Sequence, residues 1–132
     1  LAETMLFGNQ PFIADATAQA LLGDGGTAKS MRDSYQQRAG RVLSLLDGKA
    51  GLRVNPPKSG MFALVDVSET GLDGYEFAMK LLTEAGVAVM PGTSFGEVTR
   101  NWIRLSLTVP DERVDEACRR IVDFAGSLTT ER

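Results

Sequence analysis

Arg104 is the residue of this sequence best placed to do chemistry. In residues 102–109 (WIRLSLTV), Ile103, Leu105, Leu107 and Val109 fall on one side of an extended chain. Trp102, Arg104, Ser106 and Thr108 fall on the other. An arginine in mid-strand leaves the sheet on the face opposite the aliphatic core, carrying a permanent charge and a fork of donors that fits a carboxylate. Two readings follow: a clamp for a small carboxylate ligand, or an ordinary edge-strand arginine paired with a surface Asp or Glu. Residues 91–96 (PGTSFG) offer a flexible loop that reads first as a plain turn and only second as a ligand loop. Asp66 ends an apolar run, as a site residue or as the cap of a turn. Cys118 falls on an apolar helix stripe and reads as packing. Lys29, Lys49 and Lys80 stand in contexts that look solvated, and no lysine has neighbours that would make it a nucleophile.

Composition narrows the chemistry further. The 132 residues include no histidine and one cysteine, with a net charge of −3. Ser-His-Asp and Cys-His catalysis, histidine-ligated metals, internal disulfides and CxxC motifs are excluded. The acidic balance argues against general nucleic-acid binding. No apolar run approaches the roughly 20 residues of a membrane-spanning helix, and no signal peptide is evident. One cysteine and no targeting signal point to the cytoplasm. The chain opens on Leu1 rather than Met and reads as a piece of a longer protein.

The elements that must hold Arg104 follow from periodicity and punctuation. Asn9 and Pro11 mark a helix start, and residues 12–22 are Ala-rich and helical up to Gly23. A second helix is expected over residues 27–46, with Met31, Tyr35, Val42 and Leu46 on its apolar face and Arg38 and Arg41 among the polar residues. Residues 52–55 form a short strand ended by Pro56 and Pro57. Residues 61–67 (MFALVDV) suit a strand covered on both faces. Asp73 and Glu76 have capping-box spacing, opening a helix whose stripe is read as Leu72, Tyr75, Ala78, Met79 and Leu82, with Gly86 as its stop. Residues 87–90 read as a short buried strand. The last helix follows Pro110, buries Val114, Ala117, Cys118, Ile121, Val122 and Ala125, and ends at Gly126. The fold class is α+β: a small mixed sheet of three to four strands covered by helices on one face.

Several segments, taken together, resemble the class I/II (fold type I) pyridoxal-phosphate aminotransferases, the aspartate aminotransferase superfamily. Residues 55–62 (NPPKSGMF) resemble that family's P-x-G-G-x-F strand opening, with Ser59 in place of its first glycine. Residues 86–96 (GVAVMPGTSFG) look like its G-V-x-V-x-P-G-x-x-F-G, and residues 103–106 (IRLS) its I-R-L-S. The resemblance covers nearly the whole chain. It implies that residues 1–25 are a linking helix from an absent large domain and that residues 26–132 are the C-terminal small domain. It implies amino-group transfer between an amino acid and a 2-oxo acid on pyridoxal 5'-phosphate, in a homodimer. Arg104 matches the arginine that grips the substrate α-carboxylate, Phe62 matches an aromatic lining the pocket, and Phe95 and Gly96 approach the same cleft. The Schiff-base lysine of a Ser-x-x-Lys segment is missing from the sequence, as are the family's other cofactor-binding groups. The resemblance therefore implies that the fragment binds no cofactor and is inactive alone. The alternative is a stand-alone α+β module for ligand binding or dimerisation.

Overall fold

A computed structural model of the chain describes residues 10–23 and 25–130, with side chains described through 128. The chain divides into two compact units, Leu1–Asp33 and Ser34–Arg132. In the first, α1 (Pro11–Leu22) begins with proline in its first turn, which supplies a fitting φ where no N–H is needed. Its N-cap is Gln10, with no side-chain cap bond; Asn9, the expected cap, lies outside the described residues. None of α1 is buried, and Phe12, Leu21 and Leu22 are exposed. The helix α2 (Gly26–Leu46) starts in this unit, where Met31 is exposed, and supplies Val42 and Leu46 to the core of the second.

The second unit is a four-stranded sheet with helices on one face. Its strands are β1 (Arg53–Asn55), β2 (Phe62–Asp66), β3 (Met90–Pro91) and β4 (Trp102–Ser106), in the order β1-β2-β4-β3. Every neighbouring pair is antiparallel, where a mixed sheet was expected. The helix α3 (Gly74–Ala85) connects β2 to β3, and these two run parallel as the sequence order suggests. β4 then enters between them and turns both contacts antiparallel. Ala63, Val65 and Val67 pack with Val54, Ile103, Leu105 and Leu107 on one face. Above them lie Phe77 and Leu81 of α3 and Val114, Cys118, Ile121 and Phe124 of α4 (Asp111–Thr130). Phe77 and Phe124 meet edge to face, their ring centroids 5.1 Å apart. The run 61–67 is therefore covered on one face only, leaving Phe62, Leu64 and Asp66 on the other with partial exposure.

Three boundaries differ from expectation, each for a physical reason. On α3 the buried stripe is Gly74, Phe77, Ala78 and Leu81, while Tyr75, Met79 and Leu82 are exposed. Both stripes have helical spacing; Gly74 decides between them. Its N–H donates to Arg100 O at 2.9 Å, and a Cβ there would lie 2.2 Å from Trp102 O. That bare backbone presses against the connection into β4, fixing the helix's rotation. The expected capping box is present: Asp73 accepts from the N–H groups of Tyr75 and Glu76, and Glu76 accepts from that of Asp73. The strand at 87–90 shortens to Met90–Pro91, because the Val87 N–H is drawn to Leu81 O at the end of α3 and Pro91 offers no donor. Finally, α4 passes through Gly126 to Thr130. Burial of Phe124 and Ala125 beside that glycine offsets its poor helix propensity.

Candidate functional site

Arg104 sits at the centre of the sheet face opposite the helices, half-buried, with Leu64 across from it on β2 and Met90 across from it on β3. β4 is an inner strand, so the edge-strand reading of Arg104 does not hold. The ion-pair reading fares no better: the Arg104 side chain makes no salt bridge or hydrogen bond with the described residues. Its contacts are aromatic. The guanidinium carbon lies 4.0 Å from the centroid of the Phe62 ring and 4.5 Å from that of the Phe95 ring. Phe62 belongs to β2 and Phe95 follows β3, so the rings reach Arg104 from strands on either side of β4. Three residues singled out in the sequence are thus brought into one cluster.

The loop that carries Phe95 is pinned at both ends. Gly92 is buried against backbone: a Cβ there would lie 1.9 Å from Thr99 O and 2.7 Å from Trp102 O. The Thr99 hydroxyl donates to Gly92 O at 2.7 Å and to Gly96 O at 2.9 Å. Gly96 has φ +124°, a backbone angle that favours glycine, and it turns the chain just after Phe95. Beyond the loop, Arg100 lies near Glu97 and Asp73, which raise its already high pKa, Glu97 most. Asp73 is held below the usual carboxylate range, chiefly by the Glu76 N–H that caps onto it. Gly92 was legible in the sequence as part of the 91–96 loop, whereas Thr99 and Gly74 position the site through backbone neighbours that no local pattern marks.

The remaining candidates settle into structural roles. Asp66 Oδ1 accepts from Ser68 N at 2.9 Å and caps the turn after β2. Cys118 is buried, and burial pushes its thiol up to about 11. Arg38 and Arg41, placed among the polar residues of α2, bind α4 instead. Arg38 Nε donates to Asp111 Oδ1 and Arg41 Nη1 to Asp115 Oδ2, both at 2.7 Å. A hollow of about 390 Å³ lies beside Phe62 and Leu64, walled by Asn55, Pro56, Pro57, Lys58 and Ser59. A larger one of about 430 Å³, between the segment 86–89 and α4, shares none of the cluster's side chains. Among the described residues no group of side chains is arranged to hold a metal, and no helix is long and apolar enough to cross a membrane.

The sheet face away from the helices thus presents an arginine whose side chain meets two aromatic rings and, among the described residues, no acidic partner. The chain belongs to the aminotransferase class I and II family, whose model matches residues 1–121. It is 41% identical to the arginine–pyruvate transaminase of Pseudomonas aeruginosa, over 97% of this chain and 33% of that protein. It is 38% identical to an LL-diaminopimelate aminotransferase of Dehalococcoides mccartyi, over 68% of this chain and 23% of that one. The crystal structure of an aromatic aminotransferase from Pyrococcus horikoshii superposes with a TM-score of 0.81 at 29% identity, covering 86% of this chain and 31% of that one. The Thermus thermophilus aspartate aminotransferase with maleate gives 0.64 at 33% identity, covering 72% and 24%. The chain spans about a third of the length of the curated relative it matches over most of its own length.

Proposed function

We propose that this chain is the substrate-gripping C-terminal small domain of a pyridoxal-phosphate aminotransferase and is inactive by itself. In this reading residues 1–25 link it to a large domain and residues 26–132 form the small domain. The whole enzyme is a cytoplasmic homodimer that moves an amino group between an amino acid and a 2-oxo acid. The observation that carries the reading is the unspent guanidinium fork of Arg104, held on an inner strand with no acidic partner among the described residues. A bare half-buried cation of this kind is satisfied by a carboxylate bound in two parallel hydrogen bonds. The Thermus relative was solved with maleate, a dicarboxylate, which agrees with that chemistry. Phe62 and Phe95 wall the carboxylate's seat, and Gly96 lets the loop turn away behind it.

In this reading the chain's own lysines are not the ones that hold pyridoxal phosphate. Lys29, Lys49, Lys58 and Lys80 are all exposed, and Lys49 donates to Ser44 O. None has the desolvated surroundings that turn an ammonium into a nucleophilic amine. In the reading proposed, the cofactor belongs to the part of the relatives' length that this chain does not span.

Two measurements test the proposal. The purified chain, supplied with pyridoxal phosphate, an amino acid and a 2-oxo acid, should give no transamination above the protein-free rate. The full-length enzyme should turn over, and its Arg104→Lys variant should do so with the much lower kcat/KM described below. Transamination by the chain alone would overturn the reading.

A further inference from the structure

We infer that Phe95 and Phe62 are positioning residues that hold the Arg104 guanidinium in its binding orientation, with Thr99 and Gly92 holding Phe95 in place. The inference rests on the reading of Arg104 as the carboxylate grip and adds how that grip is kept ready.

A half-buried arginine on an open sheet face has many rotamers, and ordering it on binding would weaken the grip. Proteins commonly steady an arginine with an acidic neighbour, but that neighbour would occupy the N–H groups and cancel the charge the ligand needs. Aromatic rings act differently. Their faces attract the cation, yet leave its in-plane N–H groups unbonded. The two rings lie 4.0 and 4.5 Å from the guanidinium carbon and reach it from strands on opposite sides of β4. Both rings are also exposed where a large apolar side chain gains most from burial: Phe62 is 38% and Phe95 51% accessible. Neither belongs to the hydrophobic core cluster, and the arginine is the contact the two rings share.

Each ring is set by a separate device. Phe62 is fixed by its register opposite Ser106 in the β2–β4 ladder. Phe95 rides on the loop closed by the Thr99 hydroxyl on Gly92 O, with Gly92 pressed on the Thr99 and Trp102 carbonyls. The path Thr99, Gly92, Phe95, Arg104 therefore runs from a backbone staple to the cation.

The test is a set of double-mutant cycles in the full-length enzyme, read as KM and kcat for the amino-acid donor. Phe95→Leu and Phe62→Leu should each raise KM about three- to thirtyfold while kcat changes less. Phe95→Tyr, which keeps the ring, should stay within about twofold of the wild type. Thr99→Val, which keeps the shape and loses the hydroxyl, should follow Phe95→Leu in direction. In an Arg104→Lys background, Phe95→Leu should cost less than about twofold further, because the group it positions is gone. A Phe95→Leu enzyme with unchanged KM overturns the inference, as does one whose loss is undiminished in the Arg104→Lys background. If Arg104→Lys is damaging and Phe95→Leu harmless, only the positioning role fails. If Arg104→Lys itself leaves KM and kcat unchanged, the carboxylate reading fails and takes this inference with it.

Discussion

Arg104 and Leu64 stand opposite each other in the β2–β4 ladder, which puts the arginine on the sheet face away from the packed helices. That placement makes its charge available to a ligand and costly to replace. In the full-length enzyme Arg104→Lys should lower kcat/KM at least about thirtyfold, because an ammonium cannot make the bidentate pair. Steady-state kinetics with the amino-acid donor checks it, and near-normal kcat/KM would dismiss the assignment.

Two glycines should respond in opposite ways to a single methyl group. Gly92→Ala would drive a Cβ to 1.9 Å from Thr99 O, against backbone that cannot swing aside. It should cost about 1–3 kcal/mol of stability and disturb the Phe95 loop. Gly126 lies inside α4 with nothing within 4 Å of where a Cβ would be built. Gly126→Ala should gain roughly 0.5–1 kcal/mol. Urea denaturation of both variants decides the matter.

The bond from Arg38 to Asp111 gives the fold an acid dependence of known sign. The Arg38 hydrogen bond is the largest influence on Asp111 and holds its carboxyl below the ordinary 3.8. Below that ordinary value the unfolded chain takes up a proton that the folded chain resists. This contribution is therefore complete above it and lost as pH falls through the lowered folded value. Arg38→Met should be less stable at neutral pH and lose less on acidification to about pH 3. Denaturation midpoints across that range test it; parallel pH profiles for variant and wild type would contradict it.

Cys118 should be chemically quiet in the folded chain. Burial, and secondarily the Asp115 charge, raise its thiol from 9.0 to about 11. The thiolate fraction at mildly alkaline pH then falls about a hundredfold. Alkylation by iodoacetamide at about pH 8 should be at least that much slower in native conditions than in denaturant. Equal rates would show that the α4 stripe is not packed as described.

Phe77→Ala should be among the most damaging changes to the core. The side chain is fully buried and packs edge to face on Phe124. A loss of about 3–5 kcal/mol is expected, read by chemical denaturation. The same change at the exposed Tyr75, on the other apolar stripe of α3, should cost far less.

The contrast between those two stripes shows where sequence reasoning runs out. Both have helical period on α3, and hydropathy alone cannot rank them. The choice falls to Gly74 meeting the Arg100 and Trp102 carbonyls, a contact across more than twenty residues of chain. Local rules did better where the determinant was local. The Asp73–Glu76 box, the alternation that lifts Arg104 off the core face, and the turns around the strands could all be read from neighbouring residues. The family's motifs were likewise contiguous stretches, and the match over residues 1–121 agrees with them.

By itself, then, the sequence determined that an arginine would project from a strand opposite an aliphatic core in an α+β chain, because side-chain alternation is a property of single strands. Only the tertiary structure decided what surrounds that arginine. Inserting β4 between β2 and β3 brings Phe62, forty-two residues away in sequence, and Phe95 from the opposite flank to the same guanidinium. Strand order is set by how the whole core packs, and no local pattern encodes it.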